Sequence, residues 1–187
     1  MCIILDEEGC TLKIVPREIR GYVCVAKRKI GQNAIHLLFG KAVTQCLKAQ
    51  DYESLATNGL EPFRTPKEAL RASLALKKVS DIESVWIGKL EMRILSQDEL
   101  SDPDVRRATN LVVVELHGYY DFFDDTILRG KTSESFPHAI PGSYLYENDL
   151  QPFDSFDSAY YAATEAHRQA ACPVALATFK LERVTPP

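Results

Sequence analysis

A short motif that occurs twice limits the folds open to this chain of 187 residues. Residues 58–65 read NGLEPFRT, and residues 148–155 read NDLQPFDS, 90 positions later. Each copy is followed by a helical pattern and then by a strand-like apolar run. Two copies at so long a period do not describe a solenoid, so the motif predicts two related half-domains that share one core.

The similarity between the two halves extends well beyond the motif. Residues 22–72 align without a gap to residues 112–162, and 12 of the 51 pairs are identical. Unrelated segments of ordinary composition would share about 3 identical pairs. One inserted residue then aligns residues 89–91 with residues 180–182, which both read KLE. We therefore predict an internal duplication.

Four segments follow from this alignment. They are an N-terminal hairpin (1–21), a first half-repeat (22–95), a polar linker (96–110) and a second half-repeat (111–187). Gly40 and Gly130 occupy aligned positions, which predicts a backbone requirement common to both halves.

Local patterns place similar elements in each half. Thr65 and Ser155 are good helix N-caps, and Pro66 and Glu68 complete a capping box after Thr65. The patterns predict strands at 22–26, 84–95, 111–116, 144–147 and 174–184, and helices at 33–49, 65–78 and 155–171. Strands and helices do not alternate strictly, so we predict an α+β fold with a mixed or antiparallel sheet flanked by helices.

Composition narrows the class of protein. Hydrophobic residues make up 45% of the chain and charged residues 26%, as in ordinary globular proteins. No apolar run is long enough to cross a membrane, and no signal-peptide pattern is present. The five cysteines are odd in number and form no CxxC pair, which predicts reduced thiols in the cytoplasm. They are Cys2, Cys10, Cys24, Cys46 and Cys172.

Charge is distributed unevenly between the halves. Residues 22–110 carry 14 basic and 11 acidic side chains, a net charge of +3. Residues 111–187 carry 5 basic and 11 acidic side chains, a net charge of −6. The sequence has no basic stripe of the kind that binds phosphate backbones, so we predict no nucleic-acid partner.

A cluster of aromatic and acidic residues follows the apolar run 111–116. Aromatic residues in a loop suit an interface because they bury much area at little entropic cost. We predict a binding surface for a protein partner or a second copy, made of Tyr119, Tyr120, Asp121, Phe122, Phe123, Asp124 and Asp125. The carboxylates lack EF-hand spacing and are interpreted as a solvated acidic loop, so no metal site is predicted.

The second half also carries an ordered set of short motifs. His117-Gly118 ends a predicted strand, Ile127-Leu128 precedes Gly130, and Gly142-Ser143-Tyr144 precedes a helix that contains Tyr161-Ala162. In this order the second half resembles the ADP-ribosyltransferase family. The resemblance implies that His117 and Tyr144 hold NAD and that Glu182 activates the acceptor. Tyr119 replaces the small hydroxyl residue usual after His-Gly, and Glu182 aligns with Glu91 of the first half.

The sequence therefore supports two functions. The preferred interpretation is a non-enzymatic, cytoplasmic interaction protein without a cofactor, because no nucleophile–base motif, P-loop or zinc-protease motif is present. The alternative is an ADP-ribosyltransferase-like enzyme that uses NAD. The opposite charges of the halves also predict either a homodimer in which half one faces half two, or a basic partner that meets the acidic half.

Overall fold

The computed structural model describes residues 18–30, 33–50, 61–116, 126–131, 144–145, 151–170 and 173–185. In these residues it contains seven strands, four helices and one 3-10 turn, Asp98–Ser101. The strands are β1 (Glu18–Ile30), β2 (Asn33–Phe39), β3 (Ile82–Ile94), β4 (Leu111–Leu116), β5 (Thr126–Arg129), β6 (Tyr144–Leu145) and β7 (Val174–Val184). The helices are α1 (Val43–Ala49), α2 (Pro66–Leu76), α3 (Pro103–Arg106) and α4 (Phe156–Ala170).

The strands form a closed barrel in the order β1-β2-β6-β5-β4-β7-β3. Neighbouring strands are antiparallel except β5 and β6, which are parallel. The α+β class and the largely antiparallel sheet are confirmed, but closure into a barrel was not predicted. Closure depends on β6, because both of its residues pair with β2 and Leu145 also pairs with Leu128 of β5.

Three apolar clusters hold this arrangement together. One fills the barrel interior, the second lies between the outer wall and α2, and the third lies between the outer wall and α4. The inward helix residues predicted for α2 are buried, namely Ala69, Ala72, Leu76 and Val79. On α4 the packing face is Phe156, Ala159, Ala163 and Ala166, with Ala162 partly buried. Both helices therefore lie outside the barrel, on neighbouring parts of its wall.

The helix predicted for residues 33–49 is wrong over its first seven residues, which form β2. Leu37 and Phe39 pack toward α2, whereas Leu38 packs into the barrel interior. Since both faces of this strand are buried, its apolar residues do not alternate with polar ones. Their spacing happened to match a helical period, and only Val43–Ala49 is helical.

In each half, the backbone of the repeated motif is hydrogen-bonded to the first strand. The backbones of Tyr22 and Phe63 exchange two hydrogen bonds of 2.9 and 2.7 Å. In the second half the Phe153 N–H donates to the Leu111 carbonyl at 2.8 Å. Phe63 is buried, whereas Phe153 is only partly buried.

A second backbone contact next to the glycines also occurs in both halves. The Lys41 N–H donates to the Glu61 carbonyl at 2.8 Å, and the Lys131 N–H donates to the Gln151 carbonyl at 2.7 Å. A Cβ atom at Gly40 would lie 2.0 Å from the Glu61 carbonyl oxygen. The backbone requirement predicted for Gly40 is therefore a close approach of two chain segments.

In the first strand of each half, the structural correspondence between residues differs by one position from the sequence alignment. Self-alignment matches Val23 with Val113, but Val23 lies in the barrel interior and Val113 packs against α4. Val112 is the interior residue that corresponds to Val23. A shift of one position reverses the face on which a side chain lies. The one-residue difference therefore keeps the interior residues of both strands inside the barrel.

The helix ends follow the predicted capping chemistry. The Thr65 hydroxyl accepts from the Glu68 N–H at 3.3 Å, and the Glu68 carboxylate accepts from the Thr65 N–H at 3.1 Å. The Ser155 hydroxyl accepts from the Ser158 N–H at 3.2 Å. The segment predicted as a polar linker contains the 3-10 turn and α3, and its Leu100 and Val105 side chains pack under α4.

Candidate functional site

The exposed face of α4 carries two adjacent aromatic side chains. Tyr160 is 46% exposed and Tyr161 is 70% exposed. The Tyr160 ring stacks on the Phe156 ring with centroids 5.8 Å apart and an interplanar angle of 21°. The guanidinium carbon of Arg106 lies 4.3 Å from the centroid of the same Phe156 ring. Arg106, Phe156 and Tyr160 therefore form one stack that joins α3 to α4.

Two members of this stack, Arg106 and Phe156, have further contacts with the protein. The Arg106 Nε donates to the Leu100 carbonyl at 2.8 Å, which fixes the guanidinium. Phe156 is 3% exposed and packs in the cluster beneath α4. The Tyr160 ring consequently lies on a buried partner.

The exposed face of α2 differs in character from that of α4. Leu74 is 53% exposed and lies at its centre. Lys67 and Arg71 are exposed at positions that share the Leu74 face at helical spacing, and the exposed Lys78 follows the end of the helix. At the corresponding positions in the second half, Asp157 replaces Lys67 and Tyr161 replaces Arg71. The face of α2 is therefore basic around an apolar centre, whereas that of α4 is aromatic with an acidic start.

Between the two helices the outer wall of the barrel is covered by alternating charges. Opposite residues on adjacent strands carry opposite charge in four backbone pairs: Glu18 with Arg93, Arg20 with Glu91, Glu91 with Lys180, and Lys89 with Glu182. A cleft of about 220 Å³ between β1, β3 and β7 is lined by five of these residues, namely Glu18, Arg20, Glu91, Arg93 and Lys180. Cross-strand pairs of this kind stabilise the register of the sheet, and they explain the cleft's charges without a ligand.

Glu99 anchors one edge of this charged wall. The backbone N–H of Ser96 donates to its carboxylate at 2.7 Å, and Arg93 forms an ion pair with it. The Ser96 hydrogen bond, with help from Arg93, lowers the pKa of Glu99 to about 2. The carboxylate is thus ionised at neutral pH and acts as a fixed acceptor, not as an acid or base.

The residues implied by the ADP-ribosyltransferase resemblance are placed as follows. His117 lies outside the described residues. Tyr144 begins β6, whose backbone pairs with β2, and β5 and β4 separate β6 from β7. Glu182 lies on the outer face of β7, ion-paired with Lys180 at 2.7 Å, and Lys180 lowers the pKa of its carboxyl. An NAD site stays a prediction.

The aromatic and acidic surface predicted from the sequence, residues 119–125, also lies outside the described residues. What sequence reasoning missed is the face of α4, although Tyr160 and Tyr161 stand beside the inward alanines of a helix that was predicted correctly. Two consecutive tyrosines beside the alanine face of this helix could have indicated the exposed surface. A helix that packs through its alanine face leaves the opposite face accessible.

Cys24, one of the two cysteines in the described segments, is not a reactive group. Cys24 is buried, and its thiol donates to the Ala69 carbonyl at 3.2 Å. Burial raises the pKa of this thiol to about 12, so it is not a nucleophile at neutral pH. Within the same segments, no group of three His, Cys, Asp or Glu side chains could hold a metal ion.

Comparison with known proteins adds no family. No protein-family model, no curated protein and no solved structure matches this chain. None of the helices described for it is long and apolar enough to span a membrane.

Proposed function

We propose that this protein is a non-enzymatic, cytoplasmic interaction protein that binds a protein surface through the exposed faces of α2 and α4. One observation carries the proposal. Leu74, Tyr160 and Tyr161 are the exposed large hydrophobic side chains found in the described part of the chain, and all three lie on these two helices.

The composition of the α4 face supports a role in binding. Tyrosine and arginine are enriched among the residues that dominate binding energy at protein interfaces. Tyr160 and Arg106 already contact Phe156, so a partner would meet an ordered surface. Tyr161 is the most exposed of the three apolar side chains, which makes it available to a partner.

The partner surface that the chain itself offers is α2 of a second copy. Leu74 supplies an apolar centre, and Lys67, Arg71 and Lys78 supply positive charge. The second half, which contains α4, has a net charge of −6. Both helices lie on the outside of the barrel, so a two-fold dimer can repeat the α2–α4 contact twice.

The proposal includes the internal duplication predicted from the sequence. It is supported by the matched backbone contacts from Phe63 and Phe153 to the first strand of each half, and by those from Lys41 and Lys131 to the motif. In this view duplication placed two similar helices on one wall, and divergence made one basic and the other aromatic. Self-association would then follow from the symmetry of the halves.

Sedimentation of the purified protein tests this function. We expect a concentration-dependent dimer below about 1 mM, the range in which association is worth at least about 4 kcal/mol. The dimer should weaken but persist between about 0.1 M and 1 M salt, because screening removes the charge attraction and leaves the apolar contact.

Matched variants connect the dimer to the two helices. Tyr160→Ser/Tyr161→Ser on α4 and Leu74→Ser on α2 should each weaken the dimer at least about tenfold, a loss of about 1.4 kcal/mol. Lys48→Ser, an exposed change on α1, is the control and should sediment like the wild type. A wild-type protein that stays monomeric, or a dimer that neither helix variant weakens, would contradict self-association through α2 and α4.

A further inference from the structure

We draw no further inference here: the strongest candidate, the charged cleft between β1, β3 and β7, carries nothing, because Arg20 and Lys180, which line it, both lie opposite Glu91 on the adjacent strand and such cross-strand pairs account for its charges without a ligand.

Discussion

Phe63→Ala is expected to lower the free energy of unfolding by about 3–5 kcal/mol, the usual cost of truncating a fully buried aromatic side chain. Phe63 is 2% exposed and packs between α2 and the barrel wall. Its backbone also exchanges two hydrogen bonds with Tyr22, so the cavity left by the ring cannot close by moving the chain. Chemical denaturation monitored by circular dichroism measures the loss.

Phe153→Ala is the matched comparison, because it removes the same ring from the second copy of the motif. Phe153 is only partly buried, so its truncation should cost clearly less than that of Phe63, about 1–3 kcal/mol. Losses below about 1 kcal/mol at Phe63 would show that the motif does not anchor the fold.

Arg129→Ala is expected to destabilise the protein by about 3–5 kcal/mol, because it removes the ion-pair partner of the fully buried Glu115 carboxylate. The double variant Glu115→Ala/Arg129→Phe should recover most of that loss, to within about 1.5 kcal/mol of the wild type. It introduces the apolar pair that Ala26 and Phe39 form at the corresponding place in the first half.

The double variant shows whether folding requires the ion pair. An apolar replacement about as stable as the wild type would mean that it does not. A double variant that is less stable than Arg129→Ala would mean that the second half depends on this ion pair for folding. Denaturation of the wild type and both variants under the same conditions gives the comparison.

Elements with strong local signals could be predicted from the sequence. The capping box at Thr65 and Glu68 and the alanine face of the helix after Ser155 define α2 and α4. The apolar run of β4 and the long strands β3 and β7 also match their predicted positions within two residues. In each case the residues that decide the structure are close together in the sequence.

The remaining features depend on contacts between distant residues. β2 was taken for a helix because its two faces are covered by different clusters, and the covering residues come from other parts of the chain. Closure of the barrel rests on two residues of β6, far too few for a periodic signal.

The buried ion pair of Glu115 and Arg129 illustrates the same limit. The glutamate inside the apolar run 111–116 led to no prediction of a buried carboxylate, although such a group needs a partner. Only the register of β4 and β5 identifies Arg129 as that partner. Tyr160 and Tyr161 mark the face of α4 in the sequence, but the stack of Tyr160 on Phe156 and Arg106 depends on the packing of α3 against α4.

Photochemical crosslinking from position 74 tests the proposed contact between α2 of one copy and α4 of another most directly. Leu74, which is 53% exposed, is replaced by a photoreactive benzoylphenylalanine, and isotopically labelled wild-type protein is mixed with the unlabelled variant. Mass spectrometry of the crosslinked peptides then distinguishes contacts between chains from contacts within one chain. We expect crosslinks between labelled and unlabelled chains that map to Phe156–Ala170, centred on Tyr161. Crosslinks confined to one chain, or mapping to any surface other than α4, would contradict the proposed function.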